Sequence, residues 1–316
     1  MSSVALSVVI PVYNEEAGLN GLFARLYPAL DALKESYEIV FVDDGSKDKS
    51  VAIMREQFRR RPDVTRVVIL ALNAGQHNAI MAGFTRTRGK IVVTLDADLQ
   101  NPPEEIGKLV AKMREGYDYV GSYRRERQDS GWRKWPSKLL NRIRESTTRI
   151  RMRDQGCMLR AYGRDIIDAI NQSREVNVYI PALAYTFSRT PTEIEVEHES
   201  RAAGESKYSL FKLLRLNFDL MTGFSLAPLQ LFSMIGIGIA LLSGLFVIFL
   251  ALRRIFVGPE VEGLFTLFGI VFFLLGITLF GVGILGEYVG RIYQQVQGRP
   301  RFIIGAVLEK TDSDKV

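Results

Sequence analysis

The stretch IVVTLDADLQNPPEE, Ile91 to Glu105, carries an apolar strand pattern straight into two carboxylates one residue apart, then an amide and two prolines. In an extended chain, residues two apart share a face. Asp96 and Asp98 are therefore expected to aim together, roughly 6–7 Å apart, with Gln100 next on that face if the extension persists. Two like charges so placed repel unless a cation sits between them. Hard divalent ions such as Mg2+ or Mn2+ take oxygen ligands and keep positions for water and substrate phosphates. The simpler alternative is a solvated loop that caps the next helix. Pro103 at a helix start, with Glu104 and Glu105 in the first turn, fits that reading. The cap accounts for the glutamates and leaves the Asp-x-Asp pair unexplained.

Upstream, residues 5–123 alternate apolar strands with helical patterns. LSVVIPVYN reads as a strand ending at Pro11. Leu19, Leu22, Phe23, Leu26, Leu30 and Leu33 then recur at helix spacing, with Pro28 expected to bend that helix. YEIVFVDDGS is a second strand, followed by a helix with Val51, Met54 and Phe58 inward. TRVVILALN is a third, GQHNAIMAGFTRT the crossover and KIVVTLDAD the fourth. Ile106, Leu109, Val110 and Met113 mark another helix, closed by Gly116. Repeated strand–helix units predict an α/β fold with a mostly parallel, doubly wound sheet. Ligands in such sheets sit beyond the carboxyl ends of the strands.

Those ends are where polar residues collect: Tyr13, Asn14 and Glu15, then Asp43 and Asp44, then Asn73 and Gln76, then Asp96 and Asp98. Four polar strand ends on one rim predict a binding cleft and strengthen the metal reading. No G-x-G-x-x-G follows the first strand and no G-x-x-x-x-G-K-[ST] occurs, so neither motif supplies a phosphate grip. His77 is expected to be a helix-surface or capping residue rather than a ligand.

Two stretches farther on carry no charge: Leu231 to Leu252, 22 residues, and Leu264 to Gly286, 23 residues. A spanning helix needs about 20 apolar residues, so the pair reads as a transmembrane hairpin. Lys207, Lys212 and Arg215 before it, with Arg291, Arg299 and Arg301 after it, outweigh the turn's Arg253 and Arg254, which face Glu260 and Glu262. The positive-inside bias puts both flanks in the cytoplasm. A start without a basic n-region, and a single cysteine, Cys157, agree with a cytoplasmic, reducing setting. Leu210, Leu213, Leu214 and Leu220 line one stripe of a helix expected to lie in the membrane surface. A core helix of the soluble part is the alternative. The expected organisation is a soluble domain at 1–207, a juxtamembrane helix at 208–228, the hairpin at 229–290 (about 231–252 and 264–286) and a cytoplasmic tail at 291–316. Gly281, Gly283, Gly286 and Gly290 could permit close helix packing between subunits.

From Arg124 to Arg153 the chain holds eleven Lys/Arg and three Asp/Glu, while the formal net charge of the whole is only +6. The basicity is therefore local. Such a run marks a solvated helix face or a nucleic-acid patch. In a membrane-tethered domain with an acidic rim, no nucleic acid is expected. Anionic headgroups of membrane lipids and a phosphorylated lipid are nearer partners.

VVIPVYNEE, VDDGS, TLDADLQNPPEE and GESKYS (Gly204 to Ser209) together resemble the family 2 inverting glycosyltransferases of the GT-A fold, in their polyprenyl-phosphate branch. GQHNAIMAGF, LDADLQNPPEEI, RQDS, GCMLRAY and ILGEYVGRIY look most like the branch members that transfer 4-deoxy-4-formamido-L-arabinose to undecaprenyl phosphate. The resemblance covers nearly the whole chain. It implies a Rossmann-like nucleotide-sugar domain with a two-helix membrane hairpin, a UDP-sugar donor and an undecaprenyl phosphate acceptor. It also implies a homo-oligomer, a tetramer in related enzymes, in a bacterial inner (cytoplasmic) membrane, with lipid A modification and polymyxin resistance as the setting.

On the matching positions, Pro11, Tyr13, Glu15 and Asp44 are expected to hold the uridine, with Asp43 beside them. Asn73 and Gln76, read from the rim, join that donor-binding set. Asp96, Asp98 and Gln100 are expected to bind Mg2+ or Mn2+. Arg201 and Lys207 would clamp the diphosphate as it leaves. Arg124, Arg133 and Ser137 would receive the lipid phosphate, and Asp154 falls near the acceptor, orienting the phosphate rather than deprotonating it. Glucosyl and N-acetylhexosaminyl donors present the same UDP handle and stay open. A processive polysaccharide synthase would need a Q-x-x-R-W motif and more spans, neither of which is found. A non-catalytic nucleotide-sugar sensor would have no need of an intact Asp-x-Asp and GESK.

Overall fold

The computed structural model describes residues 4–124, 152–154, 156–173, 175, 179–199, 227–258 and 264–310. They fall into two compact units. The first comprises Met1–Ser130, Ile150–Ser206 and Arg299–Val316, and the second contains two long helices within Lys207–Gly298. The juxtamembrane helix expected at 208–228 lies outside the described residues except for its last two.

In the first unit, β1 (Leu6–Val12), β2 (Tyr37–Asp43), β3 (Thr65–Leu70) and β4 (Ile91–Thr94) are nearly continuous apolar runs. Strands covered on both faces need that composition, and it is what parallel sheets show. β1 lies between β2 and β4, parallel to both, and β2 pairs in parallel with β3. β1 continues through Pro11 to Val12 instead of ending at the proline.

The covering helices are α1 (Leu19–Asp31), α2 (Ser50–Arg60), α3 (Gln76–Phe84) and α4 (Ile106–Arg114), the last entered through a 3-10 turn at Pro103–Glu105. α1 buries Leu19, Leu22, Phe23, Leu26, Tyr27 and Leu30, the single stripe that an amphipathic helix presents to a core. It runs through Pro28 without a break. Met54 is buried in α2 while Val51 and Phe58 pack partly exposed against the same core. α3 crosses so close to the sheet that a Cβ on Gly83 would sit 2.4 Å from Val9 Cγ1. Only glycine fits there.

Beyond β4 the sheet departs from the simple alternation. β5 (Tyr119–Arg124), β6 (Arg160–Gly163) and β7 (Pro191–Val196) follow, with α5 (Arg164–Gln172) and α6 (Ile180–Phe187) between the last two. β6 inserts antiparallel between β4 and β5, and β7 pairs in parallel with β5. An eighth strand, β8 (Ile304–Leu308), lies antiparallel against β3. The strand order is β7-β5-β6-β4-β1-β2-β3-β8. The region expected to be a cytoplasmic tail thus supplies an edge strand. Ala71 N donates to Ile303 O at 2.8 Å, and Arg66 pairs with Glu309 and Lys310 with Asp63 around the ladder.

In the second unit α7 (Ala227–Val257) and α8 (Leu264–Gln297) contain both uncharged stretches. Among the described residues, one segment, Ile270–Gln297, is long and apolar enough to cross a membrane, and the run recognised in α7 is the shorter Leu229–Ile239. A second span therefore rests on the α7 sequence. Within this unit Phe232 stacks edge-on with Phe280, ring centroids 6.0 Å apart. A Cβ on Gly281 would fall 2.1 Å from the Phe232 ring, so this glycine serves a contact inside the chain. Gly283, Gly286 and Gly290 have open space at their Cβ positions.

Candidate active site

The strand order turns back at β1, which has β2 on one side and β4 on the other. Crevices at such a switch point, beyond the carboxyl ends, are where open α/β sheets bind ligands. The rim residues expected there lie at the ends of β1 to β4 or in the segments that leave them.

β4 stops at Thr94, where its pairing with β1 and β6 ends. Asp96 and Asp98 are therefore not in an extended strand, as expected, but on a turn whose Leu99 sits at φ 61. The alternation of burial survives that turn: Leu95 and Ala97 are buried, while Asp96 and Asp98 reach the rim. Leu95 N still donates to Val9 O, and Gln100 N turns back to Asp98 Oδ1 at 3.2 Å. The two carboxylates feel each other. Desolvation first, and the Asp98 charge second, push the Asp96 carboxyl up to about 7. Gln76, whose Nε2 donates to Asp96 Oδ1 at 2.7 Å, pulls the other way, as do the guanidinium charges of Arg124 and Arg160.

Asp43 ends β2 and Asp44 follows it, both almost fully buried, at 1% and 3% exposure. Asp43 accepts from the amides of Gly45 and Ser46 at 3.2 Å. Asp44 reaches across to the β3–α3 loop, accepting from Ala74 N at 2.7 Å and Gly75 N at 3.0 Å, while Asn73 Nδ2 donates back to Asp44 O. Desolvation holds the Asp44 carboxyl above the ordinary range despite those donors. Gly45, at φ +74, lets the two loops meet, since a Cβ there would lie 2.9 Å from Asn73 N. Through this contact Asp44 sets the loop that carries Gln76, and Gln76 sets Asp96. The donor-side role expected of Asp44 thus falls on a carboxylate already engaged with the protein. Across the switch point Pro11 and Glu15 are half-buried and Tyr13 is 45% exposed. Asn14, at φ 54, shapes this turn and accepts from Lys47 N.

At the end of β5, Arg124 forks onto Asp154: Nε donates to Oδ2 at 2.6 Å and Nη2 to Oδ1 at 3.0 Å. Gly156 N adds a 2.9 Å bond to Asp154 Oδ1. The carboxylate is 7% exposed and raises the pKa of Arg124, chiefly through that fork. Two residues that the resemblance placed on the acceptor side are therefore partners. Beneath them Arg160, fully buried, donates to Cys157 O, Tyr119 Oη and Asp154 O at 2.5–2.7 Å. Neither Arg160 nor His198 stood out in the sequence. His198, just past β7, lies among the charges of Arg124, Asp154 and Asp98, and burial followed by Arg124 lowers its pKa. His77, the second residue of α3, is half-buried with its ring 5.3 Å from that of Tyr179. Arg133, Ser137, Arg201 and Lys207 lie outside the described residues.

Two carboxylates on one turn fit a hard divalent cation. Among the described residues no three His, Cys, Asp or Glu side chains form a closed cage. A site built on Asp96 and Asp98 leaves most of a coordination shell to water and substrate oxygens, which is the usual habit of Mg2+.

The model of Glycosyl transferase family 2 matches residues 7–170. Proteins named undecaprenyl-phosphate 4-deoxy-4-formamido-L-arabinose transferase are similar over almost the whole chain. The one from Pseudomonas aeruginosa (strain UCBPP-PA14) is 50% identical over 310 residues, 98% of this chain and 91% of its own. That from Shewanella sediminis (strain HAW-EB3) is 50% identical over 306 residues, covering 96% and 92%. That from Edwardsiella ictaluri (strain 93-146) is 47% identical over 312 residues, covering 98% and 96%. Among solved structures, glucosyl-3-phosphoglycerate synthase from Mycobacterium tuberculosis, in complex with Mn2+, UDP-glucose and phosphoglyceric acid, superposes with a TM-score of 0.50. That match has 19% sequence identity and covers 70% of this chain and 79% of that one, a likeness of fold alone. The fold is the GT-A fold that the motifs led one to expect. With a family model over more than half its length and relatives half identical across nearly all of it, the chain belongs to glycosyl transferase family 2.

Proposed function

We propose that this chain transfers 4-deoxy-4-formamido-L-arabinose to undecaprenyl phosphate, the sugar and acceptor in the names of its half-identical relatives, from the UDP-sugar donor that the motif resemblance implies. The observation that carries the reading is the placing of Asp96 and Asp98 on one turn at the switch point, with the Arg124–Asp154 fork at the end of β5, one strand beyond β6. Acidic and cationic groups side by side suit a reaction between two anions. Asp96 and Asp98, with Gln100 as expected from the resemblance, would hold Mg2+ or Mn2+, which when bound neutralises diphosphate charge as a Lewis acid. The nucleophile, a phosphate monoester, is already ionised near neutral pH, so no strong general base is required. Arg124 receives the acceptor phosphate, and Asp154 fixes the plane of its guanidinium. A phosphate oxygen then bonds to the anomeric carbon as the bond to UDP breaks, which inverts that centre. Pro11, Tyr13, Glu15 and the Asn73–Gln76 loop held by Asp44 form the donor side. Arg201 and Lys207 meet the departing diphosphate, and Arg133 and Ser137 share the lipid phosphate with Arg124.

The same reading makes the protein a cytoplasm-facing enzyme of the bacterial inner membrane. It has a soluble domain at 1–207, two spans within 229–290 and a homo-oligomeric state, and it supplies lipid A modification and hence polymyxin resistance. Purified full-length chain, undecaprenyl phosphate and a panel of UDP-sugars are expected to yield one glycolipid by mass spectrometry. A glucosyl or N-acetylhexosaminyl product would reassign the sugar, and no glycolipid with any donor would overturn the function. Asp154→Asn is expected to raise the KM for undecaprenyl phosphate about tenfold, by loosening a charge-assisted fork. A loss confined to kcat would instead make Asp154 a proton acceptor.

A further inference from the structure

The turn that presents Asp98 is under strain. Leu99 is a branched residue at φ 61, a conformation costing on the order of 1–2 kcal/mol outside glycine and Asn/Asp. Such a residue persists only when its surroundings over-determine it. Three contacts surround this one. Leu99 packs against the core, and its Cδ1 lies over α1, 3.4 Å from where a Cβ on Gly21 would be. Gln100 N bonds back to Asp98 Oδ1. Gln100 O accepts from Glu199 N at 2.9 Å, which ties the turn to the segment leaving β7.

One side chain joins the elements on either side of these contacts. Arg25, one helical turn beyond Gly21 on α1, donates Nε and Nη2 to the two oxygens of Glu104 at 3.0 and 2.9 Å. It donates Nη1 and Nη2 to the two oxygens of Glu199, both at 3.0 Å. Glu104 stands in the 3-10 turn that follows the Asp-x-Asp loop, and Glu199 is the residue whose amide holds Gln100. An exposed single ion pair contributes little to stability, but a double bidentate fork fixes geometry. Without the guanidinium, two carboxylates now drawn together would repel, pushing apart the elements that brace the turn.

We propose that Arg25 is a positioning residue: by clasping Glu104 and Glu199 it holds the strained Leu99 turn so that Asp98 stands beside Asp96 for the divalent cation. This rests on the metal reading of the Asp96–Asp98 pair above. It assigns to α1 a part in catalysis that no motif signals.

Mn2+ binding to the full-length chain with UDP present, followed by the electron paramagnetic resonance of free Mn2+, separates the two ideas. Arg25→Ala is expected to weaken Mn2+ binding about tenfold, as loss of an outer-shell orienting group does. Its melting temperature should stay within a few degrees of wild type, because Arg25 is a third exposed. Arg25→Lys recovers only part of the affinity, since an ammonium cannot fork onto two carboxylates. Glu199→Gln weakens binding in the same direction. The double variant is no worse than Arg25→Ala, because both changes act through one contact. Wild-type affinity in Arg25→Ala, or a loss seen only alongside a collapsed melt, overturns the positioning role alone. A wild-type chain that binds no Mn2+ with UDP overturns the metal reading and this role with it.

Discussion

Asp98→Asn is expected to lower kcat/KM for the UDP-sugar by on the order of a thousandfold, about 4 kcal/mol of transition-state stabilisation. The amide keeps the size of the side chain and removes its charge. Gln100 N can still find an oxygen to bond, so the turn itself should survive. What is lost is one of two anionic ligands in a site that has no third carboxylate, cysteine or histidine among the described residues to replace it. The metal-free protein is expected to melt no lower than wild type, since a like charge has been taken from beside Asp96, whose carboxyl it now pushes up. Activity and stability should therefore move apart. Steady-state kinetics with Mg2+ and Mn2+, paired with melting curves in chelator, check both halves. A variant that retains a tenth of wild-type activity at saturating metal would show that the pair does not carry the chemistry.

The second large effect is structural. Ending the chain at Arg299 removes β8, and with it the pairing of Val67, Val68, Ile69 and Leu70 with Leu308, Val307, Ala306 and Ile304. Partial exposure of Leu308 and its neighbours, plus the lost ladder, amounts to about 4 kcal/mol at roughly 1 kcal/mol per apolar side chain or hydrogen bond. That is a large share of the roughly 5–15 kcal/mol by which a domain is stable. β3 would become a bare sheet edge, the kind of surface that pairs with other chains. The truncated protein is expected to melt at least ten degrees lower and to aggregate on concentration. Its KM for the donor should rise, because Ala71, the β3 exit residue bonded to Ile303, leads directly into the Asn73–Gln76 loop. An unchanged melting curve would mean that β8 rests on the sheet without supporting it.

The half of the fold that was legible consists of elements whose own residues repeat a period. β1 to β4 are runs of buried apolar side chains, and α1 and α4 are single stripes. Their polar ends announced the rim because a carboxylate pair closing a buried strand is costly without a partner. β6 was not legible. Four residues, RAYG, form a strand only because β4 and β5 flank them, and the fully buried Arg160 runs against any apolar pattern. IGAVL near the end reads as a tail until the β3 edge gives it a partner. Asp96 and Asp98 were expected on an extended strand, whereas a strained turn presents them. The Arg25 clasp joins residues 79 and 174 positions apart in the chain, and no local window contains it.

The position of β8 behind both long helices has a consequence for biogenesis. A ribosome makes β3 early, then has to complete α7 and α8 before it reaches the strand that shields that edge. Throughout that interval the nascent sheet carries an unpaired border at β3 while more than sixty residues of apolar helix are being made. The sheet is shut only when Ile304–Leu308 docks, an event that waits for both long helices to be made.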